Sequence, residues 1–357
     1  LMLRFTLNAI LQCCNTKLHT LYSAWKANYL FWILPVVLIL GLLALLALLG
    51  IFFALRLYAK LTCGHYQAKT RMDGKTVIVT GCTSGIGKET AKELAKRGAR
   101  VIMACRSMEK AEKVQDEIVQ STKNANVVVK KLDLSSFESI RTFAEDINKN
   151  EKALDVLIHN AGYAETFKKN ISEDGIELTM ATNHYGPFLL THLLINLLKK
   201  SSPSRIVVVA SSLYRLASVN LDNPNPLNTM PGYLYYVSKE ANILFTRELA
   251  RRMEGTGVTV NCLHPGLIDT GIWRNVPAPL SWGLGLINTL FFKTPVQGCQ
   301  TSVMLAVDEN LSKVTGEYFS DCQISSLSSS ASDMSRARKL WEISEKMVKL
   351  EENDPRI

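Results

Sequence analysis

The sequence predicts an α/β fold: a doubly wound parallel sheet carried behind one N-terminal transmembrane helix. Three observations predict it. An uncharged, almost wholly apolar run extends from Phe31 to Leu55. Beyond it, short apolar runs alternate with helix-like stretches toward the end of the chain. The first of those runs leads straight into a glycine-rich turn that opens a helix.

As a helix the first run would reach roughly 37 Å at ~1.5 Å per residue. That crosses a hydrocarbon core of ~30 Å with some tilt. Trp25, Tyr29 and Trp32 at one end and Tyr58 at the other stand where an interfacial belt would. A cleavable signal would have a shorter apolar region and a shorter lead-in. Residues 1–28 are therefore expected as an N-terminal segment, 29–56 as a membrane anchor and 57–72 as a polar linker. Arg56, Lys60, Lys69 and Arg71 follow the anchor, while Lys17 and Lys26, with Arg4 farther off, precede it. This bias places the bulk of the chain on the cytosolic side. The endoplasmic reticulum membrane is the expected location. The alternatives are another organelle membrane, or a lipid-droplet monolayer entered by a hairpin bent at Pro35.

The bulk numbers exclude several classes. A chain of 357 residues, 47% hydrophobic and 20% charged, supports one large core plus an appendage. Its net charge of +9 is spread along the chain with no basic block interleaved with aromatics, so nucleic-acid binding is not expected. The excess suits an anionic cytoplasmic leaflet and a merely solvated basic surface equally well. The eight cysteines show no CxxC and no disulfide-scaffold spacing, which fits reduced thiols facing the cytosol. The histidines show no metal-ligand spacing, so no metal centre is expected.

From residue 73 the strand candidates are Val77–Val79, Val101–Ala104, Val127–Val129, Val156–Ile158, Ile206–Val209 and Val258–Val260. They are apolar or β-branched throughout, as strands covered on both faces should be. Helical patterns such as Lys88–Arg97 and Met108–Gln120 lie between them. This is βαβ alternation with right-handed crossovers, a Rossmann-type sheet over residues 73–325. Residues 326–357 read as the end of a serine-rich loop (Ser325 to Ser332) and a closing amphipathic helix (Ser335 to Leu350).

The glycine turn runs Thr80-Gly81-Cys82-Thr83-Ser84-Gly85-Ile86-Gly87. Gly81 permits the tight turn. Gly85 and Gly87 let backbone amides approach a phosphate and let the helix pack close to the strand. The helix N-terminus then favours a pyrophosphate. At the end of the second strand, Ala104-Cys105-Arg106-Ser107 carries a guanidinium where an NAD enzyme commonly has an acid. Arg106 suits a 2′-phosphate, so NADP(H) is the expected cofactor. Asp133, after the third strand, is placed either to reach the adenine amino group or to cap the helix starting near Ser135.

Tyr235 and Lys239 stand one helical turn apart and share a face. A cation at ~4 Å and an effective dielectric of ~20 is worth roughly 4 kcal/mol. That would carry a phenol with a pKa of ~10 toward neutrality, so Tyr235 is expected as general acid and base at a carbonyl or alcohol. Ser211-Ser212 follows the fifth strand at the carboxyl edge, where ligands bind in such sheets. Of the pair, Ser212 is the expected hydroxyl for orienting the substrate oxygen.

These residues together resemble the short-chain dehydrogenase/reductase family from about Lys75 to Cys322. The matching pieces are the loop Thr80–Gly87, Asn160-Ala161-Gly162 after the fourth strand, Asn183, Ser212, Tyr235 with Lys239, and Pro265-Gly266 after the sixth strand. The resemblance implies a catalytic tetrad of Asn183, Ser212, Tyr235 and Lys239, with Asn183 holding a relay water and Lys239 also binding the nicotinamide ribose. It implies cofactor contacts from Gly81, Thr83, Ser84, Gly85, Ile86, Gly87, Arg106, Asp133, Asn160, Ala161, Gly162, Pro265 and Gly266. Asn160 would also stabilise the central strand, and Ile268 and Thr270 would lie against the carboxamide. Ala104-Cys105-Arg106, Asn183–Thr191, Ser238–Phe245 and Thr315–Cys322 look like the retinol dehydrogenase/retinaldehyde reductase group. That group includes membrane-anchored, NADP(H)-preferring enzymes. Two positions depart from the pattern: His159 stands where the family usually has an asparagine, and Ser84 where some NADP enzymes have a second basic residue.

Gly266 to Thr294 is rich in large apolar residues, among them Ile272, Trp273, Leu280, Trp282, Leu284, Leu286, Leu290, Phe291 and Phe292. Such a lid suits a lipophilic substrate entering from the bilayer, or packing on its own protein or on a second subunit of a homodimer. The expected function is reduction of retinaldehyde-like or other lipid aldehydes. The alternatives are a steroid or long-chain ketone reductase and, in another class, a non-catalytic cofactor-binding membrane scaffold.

Overall fold

The computed structural model describes residues 2–61, 63–268 and 293–357, in two compact units, 1–61 and 62–357. The first unit is one helix, α1 (Met2–Leu61), which runs through Pro35 without a break. Its stretch Asn15–Leu57 is long and apolar enough to cross a membrane. Apart from the one bond that Pro35 cannot donate, a continuous helix satisfies its interior backbone groups internally, as hydrocarbon requires.

The second unit holds β1 (Thr76–Thr80), α2 (Gly85–Lys96), β2 (Arg100–Cys105), α3 (Met108–Thr122), β3 (Val127–Lys131), α4 (Phe137–Asn150) and β4 (Val156–His159). These are followed by α5 (Leu178–Met180), a π turn (Ala181–Tyr185), α6 (Gly186–Lys200), β5 (Ser204–Val209), α7 (Pro231–Arg252) and β6 (Val258–His264). After residue 293 come α8 (Gln300–Val307), β7 (Tyr318–Ser320), β8 (Gln323–Ile324) and α9 (Met334–Met347), with shorter helical turns between. The strand order is β3-β2-β1-β4-β5-β6-β7-β8, parallel except for the last pair. All six expected strands form. β7 and β8 were not foreseen, because three residues and two residues leave no period to read.

Alternate residues along the strands feed two cores. Ile78, Ile102 and Leu157 pack with α4, α6 and α7 on one face. Val77, Val79, Val101 and Met103 pack with α2, α3 and α8 on the other. Both faces are thus covered, which is why these strands are apolar throughout. The C-terminal helix completes the first layer. Trp341 of α9 is fully buried against Phe188, at 4.8 Å between ring centroids, and Arg252 stacks over it at 4.5 Å. Emptying that site would cost about 3–5 kcal/mol.

The polar stretch ahead of β1 is held down against the sheet unit. The Gly64 amide donates to Asp321 Oδ1 (3.2 Å) and the Tyr66 amide to Gln300 Oε1 (3.2 Å). The Arg97 guanidinium donates to the carbonyls of Ala68 and Thr70 and lies over the Tyr66 ring.

Candidate active site

The glycine turn, the ends of β2 to β6 and the start of α7 enclose one cleft of about 340 Å³ at the carboxyl edge of the sheet. Gly81 (φ +72°) and Gly85 (φ +58°) adopt the left-handed region that glycine tolerates without strain. A side chain at Gly87 would meet the Asn160 amide at 2.3 Å and the Gly81 carbonyl at 2.4 Å. Ser84 precedes α2 without capping it through its side chain, so the first amides of that helix stay open to an anion.

Asn160 ties the turn to the central strand. Its side chain donates to Thr80 O (2.9 Å) and Gly81 O (3.3 Å), and its amide donates to Thr80 Oγ1 (3.0 Å). His159 takes no part in this link. Its Nε2 meets Thr191 Oγ1 at 2.8 Å, and burial pushes its pKa down to about 3, so it is a neutral core residue.

Thr83, Ser84, Gly85, Ile86, Arg106, Asp133, Ala161, Gly162, Pro265, Gly266 and Ile268 all line the cleft, with the glycines and Asn160. Asp133 also closes a local turn, accepting from the Ser135 amide (2.9 Å) and hydroxyl (2.6 Å), while Ser136 caps α4. Arg106 is exposed at the rim. Lys110, in the first turn of α3, lines the same mouth and is a second cation that the sequence reading missed. The spacing Arg-x-x-x-Lys across a strand end and a helix start was the available signal. Thr270 and the apolar residues Ile272 to Phe292 lie outside the described residues. The two flanks of that segment are bridged, Lys293 donating to the Leu267 carbonyl at 2.7 Å.

At the inner end, Tyr235 and Lys239 lie in the cleft on α7, both buried. The Lys239 ammonium donates to the Val209 carbonyl (2.9 Å) and stands 5.5 Å from the centre of the Tyr235 ring. Ser211 lines the cleft with Tyr235, its hydroxyl acting on the phenol, whereas Ser212 does not line it. The choice of Ser212 is therefore corrected. Ser211 is the last extended residue after β5, whereas Ser212 begins a 3₁₀ turn, and its amide donates to His264 Nδ1 (3.1 Å).

The expected acidification of the phenol is corrected as well. Burial drives Tyr235 up to about 12, and the Ser211 hydroxyl only partly opposes it. Burial also brings Lys239 down to about 8. Desolvation outweighs the single cation because the ammonium is directed at a backbone carbonyl rather than at the phenolic oxygen.

Asn183 sits in the π turn, a feature frequent at functional sites. Its side chain is committed to protein. Nδ2 donates to Tyr163 O (2.8 Å) and Ser238 Oγ (3.0 Å), while Oδ1 accepts from the Tyr163 amide (2.7 Å). Asn183 thus fixes the cleft residue Tyr163 to α7, and the amide expected to hold a water does not line the cleft.

A family model described as short chain dehydrogenase matches residues 75–280. The chain belongs to the short-chain dehydrogenase family. Within it, the chain is 47% identical over 295 residues to retinol dehydrogenase 14 of Mus musculus, covering 78% of this chain and 86% of that one. It is 45% identical over 311 residues to retinol dehydrogenase 11 of Homo sapiens, covering 85% and 95%. Among solved structures, a protein from Mycobacterium paratuberculosis is similar at 31% identity and a TM-score of 0.64, covering 79% of this chain and 96% of its own. A short chain dehydrogenase from Escherichia coli complexed with NADPH follows at 26% and 0.58, covering 72% and 100%. As a short-chain dehydrogenase of the retinol dehydrogenase group, the chain is an oxidoreductase that uses a nicotinamide cofactor.

Proposed function

We propose that this chain is a membrane-anchored, NADP(H)-dependent enzyme that interconverts lipophilic aldehydes or ketones and their alcohols, retinaldehyde and retinol or molecules like them foremost. The observation that carries the reading is that Tyr235, Ser211 and buried Lys239 line one cleft, the cleft that the glycine turn enters. The naming of the curated relatives supports the substrate class. The candidate span Asn15–Leu57, with its apolar run from Phe31 to Leu55, supports the anchor.

The dinucleotide fits the donors present. The open amides of α2 favour a pyrophosphate. Arg106 and Lys110 supply positive charge at the mouth, where Asp133 is the carboxylate among the lining residues. Bound there, the nicotinamide would supply or accept the hydride. The protein's own part is the proton. A phenol held near 12 is protonated at neutral pH, which is the form that donates to a carbonyl oxygen as hydride reaches its carbon. Ser211 orients that oxygen and stabilises its developing charge. Lys239, from its carbonyl bond, contributes positive charge toward the phenolate left behind. Asn183, through Tyr163 and Ser238, keeps the wall and the helix in register. In the oxidative direction the same phenol must first lose its proton.

The test is turnover of the full chain in phospholipid vesicles, with NADPH and NADH each offered against retinaldehyde, a short soluble aldehyde and a steroid ketone. The reading expects reduction of retinaldehyde with NADPH at the highest kcat/KM. Preference for the steroid would move the substrate class, and no turnover of any carbonyl would reject the function.

A further inference from the structure

The large apolar side chains exposed on the catalytic unit concentrate at one edge. Phe167, Leu216 and Met230 are 62%, 62% and 58% exposed, and all lie in segments that follow β4 and β5. Leu267, exposed after β6, joins them and lines the cleft. Hydrogen bonds knit these segments into one face. The Gly232 amide donates to Thr166 O (3.2 Å), and the Ser218 amide to the Tyr233 hydroxyl (3.4 Å). Among the described residues, the turns that enter β1 to β6 from the opposite edge expose no large apolar side chain. Isolated apolar residues on a surface are ordinary. A face that holds them around the mouth of a cleft is not.

Two further observations identify what this face meets. Phe167 is followed by Lys168 and Lys169, both exposed, so apolar and basic groups stand side by side. That combination suits the headgroup layer of an anionic bilayer, with the ring buried and the ammonium groups at the phosphates. The start of the catalytic unit is held at the same edge. The Gly64 amide donates to Asp321, immediately beyond the carboxyl end of parallel strand β7.

We propose that the face led by Phe167, Lys168 and Lys169 rests in the bilayer interface, so that the cleft opens onto the lipid and takes its substrate from there. The inference rests on the membrane-anchored reading above, and its test separates the two. The full chain, carrying a photoreactive benzoylphenylalanine in place of Phe167, is placed in phosphatidylcholine–phosphatidylserine vesicles and irradiated. The same group at Lys152, in the exposed turn before β4, is the control.

Phospholipid adducts at 167 and not at 152 are expected. Adducts at neither position, at both equally, or to a second protein chain at 167 would overturn the docking face. In parallel, Phe167→Ser with Lys168→Glu and Lys169→Glu should raise the KM for vesicle-borne retinaldehyde at least about threefold. The kcat and KM for a short soluble aldehyde should stay unchanged. Equal KM for both substrates in the variant and the parent would also overturn it. Loss of the chain from vesicles altogether would instead strike the anchor reading.

Discussion

Tyr235 and Ser211 line the inner end of the same cleft, Ser211 one residue short of where the chain turns into a 3₁₀ helix. On that placement the substrate-orienting role proposed above falls to Ser211 rather than Ser212. Ser211→Ala should lower kcat/KM by about 10²–10³-fold. Ser212→Ala, whose amide contact to His264 survives the change, should stay within about threefold of the parent. Steady-state kinetics on both variants decide it, and equal losses would return the role to the pair as a whole.

Arg106 and Lys110 stand at the cofactor mouth. Arg106→Ala should weaken NADPH by about 10–100-fold, as loss of a charge-assisted bidentate contact does, and leave NADH nearly unchanged. Fluorescence titration with each cofactor gives the ratio. Parallel weakening of both would show that the guanidinium does not hold the 2′-phosphate.

Burial sets a direction for the pH dependence of catalysis. With Tyr235 held near 12, reduction finds its proton in place at neutral pH, while oxidation waits for the phenolate. Oxidative kcat/KM should therefore climb by up to about tenfold per pH unit above neutrality. A profile flat from pH 7 to 10 would mean that another group takes the proton.

Stability should respond to acid in a defined window. His159 and His184 are buried and held at about 3, against about 6.5 in an unfolded chain. Between those values the unfolded state binds more protons, so stability falls as pH drops below 6.5. By pH 5 each should have withdrawn about 2 kcal/mol. Urea unfolding at pH 7 and pH 5 measures this, and identical midpoints would mean that the two rings are protonated in the fold.

Much of this was legible in the sequence because it is periodic. β1 to β6 are apolar runs buried on both faces, and the glycine turn needs its glycines for φ and close approach. What was not legible depends on where a strand stops or on what surrounds a charge. Ser211 and Ser212 are chemically identical neighbours, and only the end of the extended backbone separates their directions. The Tyr235–Lys239 spacing gave the shared face but not the Val209 carbonyl that holds the ammonium, nor the burial that raises the phenol. Lys110 reaches the mouth through the packing of α3 on β3 and β2, a tertiary fact no local pattern carries.

The central claim is that one buried phenol moves the proton while the dinucleotide is held by other groups. The direct measurement is Tyr235→Phe in the full chain, with NADPH affinity and single-turnover reduction of retinaldehyde followed on the same preparation. The account predicts NADPH affinity within about threefold of the parent and turnover lower by at least about 10²-fold. Turnover near the parental rate, with the cofactor bound, would contradict it.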